Sequence, residues 1–197
     1  MSDCGGAEQT NWTEILIDLS RCTLTLRQAG ESAKVYRVAV GAGKTPTPVG
    51  RFHIIHKARW GGGFGTRWMG LDVPWGTYGI HGTDKPGSIG QRVSHGCIRM
   101  HNRDVEAVFE AVEAGTPVLI AGPVNYQPLA QGSRGTLVQW VQEKLQVLGY
   151  YEGTCDGIFD SETGAALSVF QKDAGLPANG QVHQPDLLKL GIEVERS

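Results

Sequence analysis

Short β-rich runs occur within the first sixty positions of the chain, and in one of them apolar and polar residues alternate with the period of two that is typical of β-strands. Such runs cover residues 13–20 and 22–28, with a short polar turn between them that predicts a hairpin. Two further strands are predicted over residues 33–40 and 51–57. His53 and His56 are three positions apart on the second of these, so we expect them on opposite faces of the strand. Short strands at this spacing favour an antiparallel sheet or sandwich over a βαβ fold.

The pattern becomes helical after residue 101. Asn102 is a plausible N-cap, and Val and Phe recur at helical spacing through Val112, which predicts one amphipathic helix. A last strand is predicted over residues 116–121. Residues 60–78 are rich in glycine and aromatic residues, and we interpret them either as a packed loop or as a wall of a substrate groove.

A change of composition predicts a second domain. Residues 122–135 contain three Gly and two Pro together with Gln, Ser and Asn, which predicts a linker over residues 123–134. Three short helical segments follow, the second of them capped by Asp160 and Ser161. We therefore predict a mainly β domain, a β-sandwich with one helix, over residues 13–122, and a small all-α three-helix domain over residues 135–192.

Composition limits the functions that fit. The 197 residues are 40% hydrophobic and 19% charged with a formal net charge of −2, which is typical of a globular protein and argues against nucleic acid as a partner. No apolar run is long enough for a membrane span. Residues 1–10 do not resemble a signal peptide, so we expect either a mature or trimmed chain or another route of export.

The chemistry concentrates around Cys97, which has His95 two positions before it and Arg99 two positions after it. A cysteine acts as a nucleophile only as a thiolate and needs a base or a nearby positive charge. His81 and His95 are the candidate bases. The alternatives are a buried structural cysteine and a zinc site that adds His101 to these ligands, although the spacing fits no common zinc pattern. We predict no metal and no cofactor.

Longer motifs identify two families. The first set resembles the L,D-transpeptidases of the YkuD type, and comprises Ile80-His81-Gly82-Thr83, Ser88-Ile89-Gly90 and Ser94-His95-Gly96-Cys97-Ile98-Arg99-Met100. The second set is similar to the type 1 peptidoglycan-binding domain, and comprises Leu145-Gln146-Val147-Leu148-Gly149-Tyr150, Asp156-Gly157-Ile158-Phe159 and Val169-Phe170-Gln171. A member of the second family would normally have Gly where this chain has Asp160.

The first resemblance implies catalytic roles for four residues. Cys97 would be the nucleophile and His81 its base, with the backbone carbonyl of Gly82 orienting the imidazole ring. His95 would support the site, because relatives vary at this position.

The same resemblance implies a substrate-binding set. Arg99 would hold a substrate carboxylate, although many relatives carry Asn there and an internal salt bridge is the alternative. Ser94, Gly96 and Thr83 would shape the binding site, and the amides around Gly96 and Cys97 would form the oxyanion hole.

Together the resemblances imply a cell-envelope enzyme, in the cell wall or periplasm or in a spore. It would cross-link peptidoglycan through a thioester, react with carbapenems, and be targeted to the wall by its C-terminal domain, unless that domain is a spacer. Expected partners are peptidoglycan stem peptides and glycan, and we expect a monomer. The alternatives are an L,D-carboxypeptidase and a non-catalytic peptidoglycan-binding protein.

Overall fold

The computed structural model describes residues 12–195 and divides them into two compact units. Of the described residues, one unit comprises 12–72 and 78–121, and the other comprises 73–77 and 122–195. Residues 1–11 and 196–197 lie outside the description, and with them the segment searched for a signal peptide. None of the helices within the described range is long and apolar enough to cross a membrane.

The first unit is built on an eight-stranded mixed sheet. The strands of this unit are β1 (Thr13–Asp18), β2 (Thr23–Gln28), β3 (Lys34–Arg37), β4 (Val40–Gly41), β5 (Gly50–Arg59), β6 (Arg67–Leu71), β7 (Tyr78–His81), β8 (Arg92–Ser94), β9 (Ile98–Arg99) and β10 (Pro117–Ala121). Of these, β4 and β8 pair with each other as a separate small sheet, and the other strands form the large one. The spatial order is β3-β2-β1-β10-β5-β6-β7-β9. One helix, α1 (Asn102–Ala111), belongs to this unit.

The prediction of a mainly β domain with one helix is confirmed, but its pairing is not purely antiparallel. After β9 at the sheet edge the chain crosses through α1 and returns as β10, which enters between β1 and β5. This crossover makes β10 parallel to β1, and β9 also pairs in parallel with β7. Local alternation predicts strands but carries no information about such long-range pairing.

One face of the central strands forms the core. Ile54, Met69, Ile80 and Ile98 are completely buried there. The helix α1 covers this face. Lys57 is the register partner of Met69 and therefore projects from the same face, and its ammonium lies 4.4 Å from the centre of the ring of Phe109, a residue of α1. Each aliphatic side chain buried in this way stabilises the fold by about 1.5–3 kcal/mol. The side chains on the opposite face of the same strands are not needed for this core and can form a functional site.

Two predictions in this region are wrong. Residues 67–71 form the interior strand β6 rather than loop. Trp68 and Met69 are buried on opposite faces of this strand, so its sequence lacks the alternation by which a strand is recognised. His53 and His56 were expected on opposite faces of β5, but a bulge between Ile54 and His56 shifts the register by one residue. Both histidines thus project from the face opposite the core.

The second unit contains three helices, as predicted, namely α2 (Thr136–Val147), α3 (Ser161–Asp173) and α4 (Gln184–Leu190). Asp160 caps α3 as expected, because its carboxylate accepts a hydrogen bond of 2.8 Å from the Thr163 amide. Residues 123–134 are not a free linker. Leu129 is 1% exposed within the helical core, and its amide donates to the Val182 carbonyl at 3.1 Å.

Candidate active site

The register of three strands places His81 and Arg99 side by side on the face opposite the core. His81 on β7 is the partner of Arg99 on β9 and, on its other side, of Trp68 on β6. Register partners project from the same face of a sheet, and so do residues two positions apart. Cys97 lies in the bend directly before β9, and a hydrogen bond with the Gly79 backbone brings its thiol to β7, the strand that carries His81.

Hydrogen bonding and ring contacts hold the imidazole of His81 in one orientation. The ring is 3% exposed, and its Nδ1–H donates to the Gly82 carbonyl at 2.5 Å, which leaves Nε2 with the lone pair of a base. The Trp68 indole stacks on the imidazole with centroids 5.6 Å apart, and the Phe64 ring meets it edge-on at 5.0 Å. These contacts leave the ring little freedom to rotate.

Burial keeps both reacting groups uncharged at neutral pH. It lowers the pKa of His81, an effect that hydrogen bonds with the Gly82 and Phe64 backbone oppose and the positive charge of Arg99 reinforces. Burial raises the pKa of the Cys97 thiol, while a hydrogen bond with the Gly79 backbone and the charge of Arg99 act in the opposite direction. The resting pair is a neutral thiol and a neutral imidazole, not a thiolate and an imidazolium.

Ser94 fixes the turn that carries the cysteine. It is 1% exposed, and its hydroxyl donates to the Cys97 carbonyl at 2.6 Å and accepts from the Gly96 amide at 3.1 Å. Gly96 has φ 108°, and a Cβ there would lie 2.7 Å from Cε1 of Tyr78. Glycine is therefore required at this position, both for the backbone conformation and for the close approach of the tyrosine ring.

The other predicted residues lie in different environments. Arg99 is half-buried, and its charge acts on both His81 and Cys97. Thr83 is buried and its hydroxyl accepts from the Lys85 amide at 3.0 Å. His95 is exposed. Within residues 12–195 no group of three or more His, Cys, Asp or Glu side chains is arranged to hold a metal ion.

Asn102 is a supporting residue whose role differs from the sequence prediction. His101 occupies the N-cap position of α1, and Asn102 is the first residue of the helix. Its side-chain oxygen instead accepts from the Thr83 amide at 3.1 Å and from the Thr66 amide at 3.3 Å. Asn102 thereby ties the residue before β6 to the segment that follows His81, and no local sequence signal reveals such a long-range bond.

His56 and Trp68 form a second supporting pair that sequence reasoning missed. The Trp68 indole N–H donates to Nε2 of His56 at 2.9 Å, which fixes the indole that stacks on His81. The bulge in β5 brings His56 to this face. The aromatic composition of residues 60–78 was a signal for the site, but it did not single out Trp68.

This arrangement defines a cysteine–histidine site on a mixed sheet, and comparison with known families agrees with that class. The family described as the L,D-transpeptidase catalytic domain, YkuD, matches residues 13–120. Because this match covers more than half of the chain, the protein belongs to the YkuD family. A second family, described as "Putative peptidoglycan binding domain", matches residues 134–183.

Individual relatives cover the same region. The protein named "Putative L,D-transpeptidase YkuD" from Bacillus subtilis is 47% identical over 107 residues, which are 54% of this chain and 64% of that protein. Its namesake from Bacillus licheniformis is 46% identical over the same shares. This chain thus spans slightly less than two thirds of these relatives.

Among solved structures, a mutant Enterococcus faecium L,D-transpeptidase is similar with a TM-score of 0.50 and 30% identity. The similarity covers 55% of this chain and 49% of that one. An L,D-transpeptidase from Mycobacterium tuberculosis, with a TM-score of 0.50 and 23% identity, shares the fold.

Proposed function

We propose that this protein is a cysteine-dependent L,D-transpeptidase that cross-links peptidoglycan stem peptides through a thioester. One observation above all supports it. The Cys97 thiol lies at the Gly79 backbone of β7, the strand that carries His81, and the hydrogen bond from Nδ1 of His81 to the Gly82 carbonyl leaves Nε2 as the basic nitrogen. Membership of the YkuD family supplies the reaction class.

In the acylation step, Sγ of Cys97 attacks the carbonyl carbon of an L-centre–D-Ala bond while Nε2 of His81 accepts the thiol proton. The neutral resting pair requires this proton transfer to accompany attack. Collapse of the tetrahedral intermediate breaks the C–N bond, and His81 returns the proton to the departing D-Ala amine. The products are a thioester on Cys97 and free D-Ala.

The backbone amide of Cys97 is our assignment for the oxyanion donor. The Gly96 amide also lies in the turn, but it already donates to the Ser94 hydroxyl. Ser94 therefore acts on the reaction by holding the turn, not by contacting the substrate.

In the second step, an amine of a neighbouring stem attacks the thioester carbonyl. The new C–N bond forms, the C–S bond breaks, and His81 carries the amine proton to the departing sulfur. Attack by water would instead give a carboxylic acid, which is the L,D-carboxypeptidase alternative.

Arg99 is proposed to bind a carboxylate of the stem peptide. It makes no salt bridge among the described residues, so the internal salt bridge considered as an alternative has no support. Its planar guanidinium can bind a carboxylate through two parallel hydrogen bonds. Beside the site, its charge also favours the thiolate as it forms.

The second unit is proposed to hold the enzyme on peptidoglycan, which would place it in the cell wall or periplasm. The family match over residues 134–183 supports this role.

Incubation of the protein with purified tetrapeptide muropeptides tests the proposal. We expect D-Ala release and a dimer whose mass equals two monomers less one D-Ala, detected by mass spectrometry. Tripeptide monomers without dimers would identify a carboxypeptidase. Unchanged muropeptides would favour the non-catalytic binding protein.

A further inference from the structure

The second unit contains a cavity of about 440 Å³ that the reaction does not use. It is lined by the first turns of α3, by residues 178–181 and by Gln131, and Phe159 contributes to its wall. The cavity is open to solvent and polar, so it is suited to a hydrophilic ligand.

A glycine inside a helix keeps this cavity open. Gly164 lies within α3, where glycine is less favourable than every other residue except proline. Its φ is not positive, and a Cβ there would make only ordinary contacts, 3.5 Å to Cε1 of Phe159 and 3.6 Å to the Gly180 carbonyl oxygen. A Cβ is therefore tolerated at this position, whereas a larger side chain would project towards Phe159 and Gly180, which line the cavity.

The lining has the chemistry of a site for a neutral ligand. It contains no lysine, arginine or histidine, and its polar side chains are three amides, two hydroxyls and one carboxylate, from Gln131, Asn179, Gln181, Ser161, Ser168 and Asp160. Some of these groups already have partners: Oδ1 of Asp160 accepts from the amide and the hydroxyl of Thr163 at 2.8 Å, Oδ1 of Asn179 accepts from the Gln181 amide at 2.9 Å, and the Ser168 hydroxyl donates to the Ala178 carbonyl at 3.3 Å. Within the described part of the chain, the side-chain amides of Gln131 and Gln181 and the hydroxyl of Ser161 are left for a ligand. Amides and hydroxyls both donate and accept hydrogen bonds, as the hydroxyl and acetamido groups of sugars do.

Peptidoglycan offers two kinds of ligand, and the lining distinguishes them. Stem peptides carry several carboxylates, which are bound best by arginine or lysine. The glycan strand consists of N-acetylated sugars rich in hydroxyl and acetamido groups. We propose that this cavity binds an N-acetylated sugar of the glycan strand and not the stem peptide, an inference that rests on the proposed function in peptidoglycan.

The test uses the full chain labelled with ¹⁵N and two probes, the neutral tetramer of N-acetylglucosamine and a sugar-free stem tetrapeptide. We expect the sugar to shift the amide signals of Gly164 and Gly180, and the peptide to leave them unchanged. Gly164→Leu should weaken sugar binding by about tenfold or more, because its side chain fills the cavity. Its Tm should equal or exceed that of the parent, since leucine favours the helix.

Val169→Leu is the matched control. Val169 is 54% exposed on the same helix and does not line the cavity, so this variant should bind the sugar as the parent does. The double variant Gln131→Ala with Gln181→Ala removes two amides on exposed residues, and should weaken binding even if Gly164→Leu does not fold. The inference would be overturned if the peptide and not the sugar shifted these amide signals, or if the sugar caused no shift. It would also be overturned if a folded Gly164→Leu bound the sugar as the parent does.

Acylation of Cys97 by a carbapenem, measured on the same samples, separates the two proposals. Acylation without sugar binding would defeat only the cavity assignment. Sugar binding without acylation would defeat the proposed enzyme and leave a peptidoglycan-binding protein.

Discussion

Cys97→Ala is expected to abolish cross-linked dimer formation and D-Ala release, with a loss of about 10⁴-fold or more. The reason is that the thioester cannot form without the sulfur of Cys97. The measurement is the mass-spectrometric yield of dimer and free D-Ala from tetrapeptide muropeptides over time.

Cys155→Ala is the control for this variant. Cys155 is a free, half-buried thiol in the second unit, so its removal should leave dimer formation unchanged. Equal activity of Cys97→Ala and the parent would rule out the thioester route.

His81→Gln should lower the rate of dimer formation by about 10²–10⁴-fold, the contribution expected of a general base. Glutamine has a size close to that of histidine but cannot accept the thiol proton. The initial rate under saturating muropeptide is the quantity to measure, and circular dichroism should show a retained fold.

His53→Gln provides the matched histidine control. His53 is exposed and its Nδ1 lies 3.0 Å from the Asp72 carboxylate, so it should not affect the rate. A rate for His81→Gln within a factor of about three of the parent would assign the proton transfer to another group.

Several parts of the fold could be predicted because their signals are local. Alternation predicted β1 and β2, and the cap at Asp160 predicted the start of α3. The strand β6 was missed because it is buried on both faces and contains a glycine. Leu129 was assigned to a linker because composition reports flexibility and not the partner that buries the residue.

The residues of the candidate site likewise comprise some that the sequence identified and others that it did not. Motif resemblance pointed to Cys97 and His81, and the structure places His81 on β7 and Cys97 directly before the neighbouring strand β9. Asn102 and His56 could not be identified, since each acts through hydrogen bonds to residues distant in sequence. The neutral state of the resting pair was equally hidden, because it depends on burial in the folded protein.

Removal of the Cys97 proton by His81 is the central step, and the pH dependence of carbapenem acylation at Cys97 tests it most directly. Since burial lowers the pKa of His81, the acylation rate should fall as pH drops through a midpoint below the ordinary imidazole value of about 6.5. It should be flat through neutral pH, because the raised pKa keeps the thiol protonated there. The acid limb should disappear in His81→Gln. A rate that rises only as the free thiol ionises, with the same profile in the parent and in His81→Gln, would contradict the account.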